Sequence, residues 1–362
     1  MKAFVKFPWH IYKNDPAWVP PLIGEMLKLL SPKKNPFWEH ADAAFFMAFK
    51  GKQPVGRIAA ILNHRHNEFH NEKTGFFGFF ESIDDKGVSS ALYNAAEEWL
   101  AAKGMNAIRG PANPSSNDDW GFLLEGYNKP PTVMMPYNPE YYHDLTKAAG
   151  YAKVKDLYAF FMDKTVDAAD KAIRVAEIAK RKTGVKIRPL DMKNMDRELK
   201  IIKEVYNSAW ELNWGFVPMT DAELDHLAAD LKKIAIPDLV LIAEVDGKPA
   251  GISVAIPNIN ELLIKMNGRL FPFGWLKFLL GFRKIKRVRI IIMGVIKEFR
   301  KRGIDAVFYV DTYNIGKKLG FSEGEMGWML EDNDMMNRTL EMFGAHLYRR
   351  YRLYEKKLPP RT

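Results

Sequence analysis

Residues 288–310 read VRIIIMGVIKEFRKRGIDAVFYV. The stretch Val288–Ile296 is dense in β-branched side chains and predicts a buried strand. The apolar spacing from Asp305 to Leu319 predicts a helix, so the short loop Arg300-Lys301-Arg302-Gly303-Ile304-Asp305 joins strand to helix directly. In such a loop successive main-chain N–H groups converge, and the unpaired amides of the helix start add partial positive charge. Gly303 allows close backbone approach where a Cβ would obstruct it. Three cationic side chains supply long-range attraction, and the combination fits a pyrophosphate.

Outward from this stretch, one order of elements is predicted twice. In the first half, Ala43–Lys50 and Pro54–Leu62 form a hairpin about the turn Gly51-Lys52-Gln53, and Gly75–Phe80 follows as a strand. Val88–Lys103 is an amphipathic helix closed by Gly104, and Ala107–Arg109 and Val154–Met162 are strands. The second half follows a helical stretch, Val166–Thr183. It has a strand at Val185–Pro189 and helices at Asn194–Leu212 and Asp221–Lys233, the latter opened by a capping box of Thr220 and Glu223. A hairpin of Leu239–Val245 and Ala250–Ile256 comes next, then the strand of the opening stretch and its helix. Glu325–Glu331 is a strand, Asp334–Phe343 a helix and His346–Glu355 a last strand. Strands and helices in this order imply an α+β fold of mixed layers, a mainly antiparallel sheet with helices on both faces, built twice.

The strand exit and loop from Val295 to Ile304 resemble the GCN5-related N-acetyltransferase (GNAT) superfamily, whose pyrophosphate loop reads Arg/Gln-x-x-Gly-x-Gly/Ala after the fourth strand. The order of elements from about residue 185 to 355 shares the resemblance. It implies two tandem acyl-CoA N-acyltransferase-like domains, 1–163 and 164–362, with acetyl-CoA or a longer acyl-CoA as co-substrate. By the resemblance, Val295 and Ile296 align the pantetheine between the fourth and fifth strands, and Arg300, Lys301, Arg302, Gly303, Ile304 and Asp305 hold the pyrophosphate. A small-molecule or peptide amine in a cleft between the domains then attacks the thioester. Two other readings of the same fold are a Fem-type aminoacyl-tRNA-dependent transferase and a non-catalytic ligand-binding protein.

Asp305 stands where that family has Gly or Ala. A carboxylate beside a diphosphate is repulsive, whereas as an N-cap it would stabilise the helix by about 1 kcal/mol. The sequence leaves both roles open. Lys297 is a lesser departure, at a position where Pro is common. The matching loop of the first half, Glu81-Ser82-Ile83-Asp84-Asp85-Lys86-Gly87, carries acids in place of cations, which predicts that this half binds no CoA.

Transfer to an amine needs a base and an acid for the leaving thiolate. Glu325 and Glu331 fall on one face of their predicted strand and are candidate bases, with Asn333 and Asp334 at the next helix start. Tyr313, with Tyr309, Tyr348 and Tyr351, is a candidate acid. Two segments are candidate acceptor walls. The long loop Gly110–Tyr142 offers Asn113, Ser115, Asn117, Asp118, Tyr137 and Asn138, and the stretch Asn213–Pro218 offers Trp214 and Phe216. Packing between elements is the other reading of both. His64, His66 and His70 predict a solvated hairpin end, and no metal site is expected.

Lysine and arginine number 54 and Asp plus Glu 44, a net charge of +10. The surplus is concentrated in 265–302, where twelve basic residues face one acid, Glu298. The absence of cysteine excludes disulfides and thiol nucleophiles. Within the basic region, Asn258–Lys286 is an insertion rich in Leu and aromatic residues. It predicts a lid over an acyl chain, a contact with an anionic surface (membrane or RNA), or a helix packed on the other half. Its apolar run Leu270–Phe282 is too short and interrupted to span a bilayer, and the start lacks the apolar core of a signal peptide. A cytoplasmic protein is expected; oligomeric state is not readable.

Overall fold

The computed structural model describes residues 1–163, 170–211 and 213–359. The expected boundary at 164, the first residues of the Val166–Thr183 stretch and Leu212 lie outside these. The strands in chain order are β1 (Ala41–Lys50), β2 (Gln53–Asn63), β3 (Thr74–Ser82), β4 (Ala107–Gly110), β5 (Ala112–Asn113), β6 (Asp119–Trp120) and β7 (Phe122–Glu125). They continue as β8 (Ala152–Asp163), β9 (Lys186–Pro189), β10 (Val240–Val245), β11 (Lys248–Pro257), β12 (Arg287–Val295), β13 (Glu323–Leu330) and β14 (His346–Lys357). The helices are α1 (Lys2–Lys6), α2 (Pro8–Ile11), α3 (Ile23–Leu29), α4 (His64–His70), α5 (Lys86–Ala102), α6 (Tyr142–Ala148) and α7 (Asp170–Thr183). The series ends with α8 (Met195–Ala209), α9 (Asp221–Leu231), α10 (Asn260–Leu263), α11 (Gly274–Gly281), α12 (Ile304–Lys318) and α13 (Asp334–Met342).

Two compact units form. Unit 1 contains Met1–Leu157, Asn260–Leu280 and the chain from Arg349; unit 2 contains Tyr158–Ile259 and Gly281–Tyr348. This differs from two consecutive blocks in two segments. The end of β14 pairs antiparallel with β4, from Tyr354↔Gly110 to Lys357↔Ala107. The segment after α10 is held by the N-terminal helices: Trp9 Nε1 donates to Asn267 Oδ1 at 2.6 Å, and the Ile23 amide donates to the Gly268 carbonyl at 3.0 Å.

In unit 1, β1, β2 and β3 pair antiparallel in sequence and β3 pairs parallel with β4. Helix α5 buries Leu92, Ala96 and Leu100, spaced by four as one helical face requires, against Ile58, Phe77 and Tyr354. His66, expected at a solvated hairpin end, is instead buried on α4 with Nε2 3.3 Å from Glu72.

In unit 2 the strand order is β13-β12-β11-β10-β9, antiparallel except for the parallel pair β12–β13. Alternation along β10 places Leu241 and Ala243 in a core shared with α7 and α12, while Ile242 faces α8 and α9 with Val205, Phe216 and Leu224. Helices therefore cover both faces. The expected capping box opens α9, with the Thr220 amide donating to Glu223 at 2.7 Å and the Glu223 amide to Thr220 Oγ1 at 3.2 Å.

Candidate functional site

The parallel ladder of β12 and β13 runs only from Arg287↔Glu323 to Ile290↔Met326. Beyond it, Ile291–Val295 and Gly327–Leu330 are in strand conformation but do not pair with each other, so the two strands separate. The separation begins at a bulge. Ala255 opposes Ile290 and Val254 opposes Ile292, leaving Ile291 as the extra residue of β12. In consequence Ile290 joins the core under α12, and Ile292 packs with the α8 cluster on the other face. Past the bulge, the Ile296 amide donates to the Ala250 carbonyl at 2.9 Å. Strand alternation then turns the main-chain groups of Met293 and Val295 toward the opening. Of the two residues expected to align pantetheine, Val295 faces the opening, whereas Ile296 is engaged by β11.

At the mouth of this opening the chain turns into α12. Lys301 and Gly303 both have left-handed backbone, φ 61° and 77°, and Gly303 is the N-cap of the helix. The first helical hydrogen bond runs from the Val307 amide to the Gly303 carbonyl at 3.2 Å, so the helix-start amides that precede it remain available as donors. Asp305 does not cap them. It lies in the first turn, half-buried, and no side-chain cap bond is made. The capping role left open from the sequence is therefore not the one it plays. Lys301 and Arg302 are exposed, and Arg302 lies over the Phe299 ring at 5.3 Å. Arg300, expected to grip phosphate, instead donates from Nε to the Val295 carbonyl at 3.2 Å and from a terminal nitrogen to the Ala209 carbonyl at 2.8 Å. It ties the loop to the ends of β12 and α8.

Unit 1 has the same strand-to-helix turn, closed by its own side chains. Asp85 is the N-cap of α5 and accepts from the Gly87 and Val88 amides at 2.8 and 3.0 Å. The ladder of β3 and β4 likewise stops at Phe76↔Arg109. There the gap is filled: Asn113 Oδ1 accepts from the Phe79 amide at 2.5 Å, and a Cβ on Gly78 would strike the Ala112 carbonyl. The expectation that this half binds no CoA rests on the acids of its loop alone; the Asp85 cap and the Asn113 bond are additional features of the structure.

Beside the paired part of β12 and β13 in unit 2 lies a pocket bounded by Ile290 and Met326 at the ladder's end, by Tyr309, Thr312, Tyr313 and Gly316 of α12, and by Leu340 and Phe343. Its walls are mainly apolar. Two buried hydroxyls in it, Tyr309 OH and Thr312 Oγ1, have no hydrogen-bond partner among the described residues. Burial, and then the charge of Asp305, push the Tyr309 hydroxyl well above its ordinary pKa, so it stays a neutral donor. Glu325 also borders the cavity, fully buried; Arg289 Nε lies 3.3 Å from its carboxylate, and the Tyr348 hydroxyl donates to it.

The other candidates are placed as follows. Tyr313 lines the cavity with Lys317 Nζ 5.6 Å from its ring centre. Glu331 lies beyond the end of β13, so it does not share a strand face with Glu325. Asn333 is the N-cap of α13, accepting from the Met336 amide at 3.3 Å. Phe216 is buried against Tyr206, and Trp214 is half-buried in the same connection. In unit 1 the side chains of the expected acceptor wall are engaged by bonds within the loop and to Asp15. The Asn117 amide donates to Ser115 Oγ, which donates to Asp118; Tyr137 OH donates to Asp15 at 2.8 Å; and Asn138 brackets Leu123 and Pro139. Arg289 and Trp210 were not foreseen. Arg289 is a charge inside a β-branched strand, which is the signal that finds it. Trp210 covers Gly294 of β12, where any Cβ would meet its ring.

A sheet whose parallel pair parts at a bulge, followed by an uncapped helix start, defines a GNAT fold, and the solved structures agree. The chain is similar to a tandem GNAT protein from the clavulanic acid biosynthesis pathway, solved without acetyl-CoA, at TM-score 0.60 and 11% identity over 99% of this chain and 95% of that one. It is also similar to a GCN5-related N-acetyltransferase from Sphaerobacter thermophilus, at TM-score 0.50 and 14% identity over 94% and 93%. No protein-family model matches. In sequence, the chain is 38% identical to the bacterial ceramide synthase of Caulobacter vibrioides, over 99% of this chain and 95% of the relative. It is equally 38% identical to Protein YghO of Escherichia coli, over 99% and 93%. The chain belongs to the family of these two proteins, on a tandem GNAT-like fold.

Proposed function

We propose that this protein is an N-acyltransferase that moves a long acyl chain from acyl-CoA to the amino group of a long-chain amino alcohol, forming a ceramide-type amide. The observation that carries the reading is the contrast between two similar turns. The amides opening α5 are capped by Asp85, whereas those opening α12 are left as donors beside Lys301 and Arg302. An anion such as a diphosphate satisfies them. The relative named for ceramide synthesis supports the acceptor class, since a ceramide is an amide of a fatty acid and a long-chain amino alcohol. The apolar lining beside Ile290 and Met326, with Leu340 and Phe343, supports an acyl chain as the donor group.

In the reaction the amine nitrogen attacks the thioester carbonyl, the C–S bond breaks, and an amide and a free thiol result. The nitrogen loses a proton and the departing sulfur gains one. Glu325, 3.3 Å from Arg289 Nε, is the candidate acceptor of the first proton, and the Tyr309 and Tyr313 hydroxyls border the same cavity. Calorimetric titration with acetyl-CoA and palmitoyl-CoA, followed by mass spectrometry of the product from sphinganine, tests the reading. Binding of the longer thioester and an amide product support it. If neither thioester binds, it fails.

A further inference from the structure

We infer that the segment 269–280 is a membrane-docking element that seats on an anionic lipid bilayer. The segment has a fixed foot and an uncovered tip. Leu262, Leu263 and Met266 at its base are buried, the Asn260 side chain donates to the Pro131 carbonyl at 2.9 Å, and Gly268 packs on Trp9 and Pro21. Beyond the foot the burial stops. Phe271 and Phe273 are 73% and 70% exposed, Leu279 and Leu280 66%, Trp275 47% and Leu276 40%.

A helix that packs on protein hides one face. Here Trp275, Leu276, Leu279 and Leu280 form one broad face of α11 that no part of the described chain covers, and the two phenylalanines before it extend the same patch. This sets aside, for the tip, the packing reading of the insertion. An uncovered patch of this kind marks an interaction surface. Charge selects the partner. Lys265, Arg269 and Lys277 are exposed around the apolar tip, Arg283, Lys284 and Lys286 follow in sequence, also exposed, and no acid occurs from Lys265 to Lys297. Phosphate-bearing surfaces attract such a set, and both lipid and RNA would qualify. The aliphatic members decide between them. Leu276, Leu279 and Leu280 have no π-face on which a base could stack, but they partition into acyl chains, as Phe and Trp do at the interface. The helix is too short to cross a bilayer and so lies in its surface. The inference does not depend on the acyl-transfer reading, because docking is measured without CoA.

The test is co-sedimentation of the full chain with vesicles of phosphatidylcholine alone or mixed with phosphatidylglycerol, at low and high salt. The wild type is expected to pellet with the phosphatidylglycerol vesicles and to be released by salt. Phe271→Ser/Phe273→Ser/Leu279→Ser/Leu280→Ser should lower the partition coefficient by roughly tenfold or more. Arg269→Glu/Lys277→Glu should reduce binding to the anionic vesicles toward that of phosphatidylcholine alone. As these side chains are solvent-facing, circular dichroism should be unchanged. Brominated acyl chains should quench part of the tryptophan emission of the wild type, and Trp275→Phe should abolish that part. Absence of sedimentation, undiminished binding by the apolar variant, or displacement of the vesicles by competitor RNA would overturn the inference. So would a wild-type dimer dispersed by the serine substitutions without any vesicle binding.

Discussion

Arg289 and Glu325 oppose each other across the parallel β12–β13 ladder, Nε 3.3 Å from the carboxylate, with side chains 3% and 0% exposed. The Arg289 guanidinium also donates to the Gly327 carbonyl at 3.1 Å, so it clamps the start of the diverging part of β13. Removing one member of such a pair leaves the other charged and buried. Arg289→Met alone should cost about 3–5 kcal/mol, and Arg289→Met/Glu325→Leu clearly less than the two single changes added. Urea unfolding of the four proteins measures this. Strict additivity would mean that the two groups are not coupled. Glu325→Gln, which keeps shape and a hydrogen-bond acceptor but leaves Arg289 without its counter-charge, should lower the urea midpoint; assayed below that midpoint, where it is folded, it should lose acyl transfer if the carboxylate takes the amine's proton.

The cavity beside α12 can be filled at Gly316. A Cβ there meets nothing nearer than Val288 Cγ1 at 4.0 Å, and leucine is a better helix former than glycine by roughly 0.5–1 kcal/mol. Gly316→Leu should therefore keep or raise the melting temperature while lowering turnover of long acyl-CoA by roughly tenfold, with shorter donors spared. A chain-length profile identical to the wild type would place the acyl chain elsewhere.

Arg300 and Arg302 should separate in their effects. Arg302→Ala should weaken CoA binding several-fold and flatten its salt dependence, with stability unchanged, because the side chain is exposed. Arg300→Ala removes hydrogen bonds to the Val295 and Ala209 carbonyls and should cost about 1–3 kcal/mol of stability. Calorimetric titration at two ionic strengths, paired with thermal melts, distinguishes them. Equal loss of stability in both would contradict the assignment.

Burial, reinforced by His70 and Arg109, lowers His66 to about 4, against the opposing pull of Glu72. Between its unfolded value of 6.5 and about 4, the unfolded chain binds the proton that the folded chain refuses. Stability is thus present above pH 6.5 and drains as pH falls through that window, by up to about 3 kcal/mol. His66→Gln should unfold more readily at pH 7 but lose less on going to pH 5. Parallel losses in the two proteins, followed by urea midpoints, would remove His66 as the cause.

Much of unit 2 was legible because its signals are local. The β-branched run at 288–296 and the Thr220–Glu223 capping box each determine their element within a few residues. The site was less so. Asp85 and Asp305 are the same residue type in similar turns, yet one stands at the N-cap and the other at the second helical position, and that offset decides whether the amides are blocked. Nothing in the residues of β12 announces the bulge at Ile291, since its neighbours are also isoleucines. Arg300 looked like a phosphate ligand because its carbonyl partner Ala209 lies on a helix far away in sequence. Glu331 was misplaced by a strand end, the least well determined of boundaries.

The last strand has a consequence for the order in which the polypeptide matures. Tyr354 and Leu358 are buried members of the core built by Ile58, Phe77 and Leu100. On the ribosome, residues of that first-made layer wait without two of their inner neighbours while everything between them is translated. The earlier-synthesised unit is thus the one completed later, and nascent chains arrested before residue 346 should hold unit 1 in a state that a protease can still open.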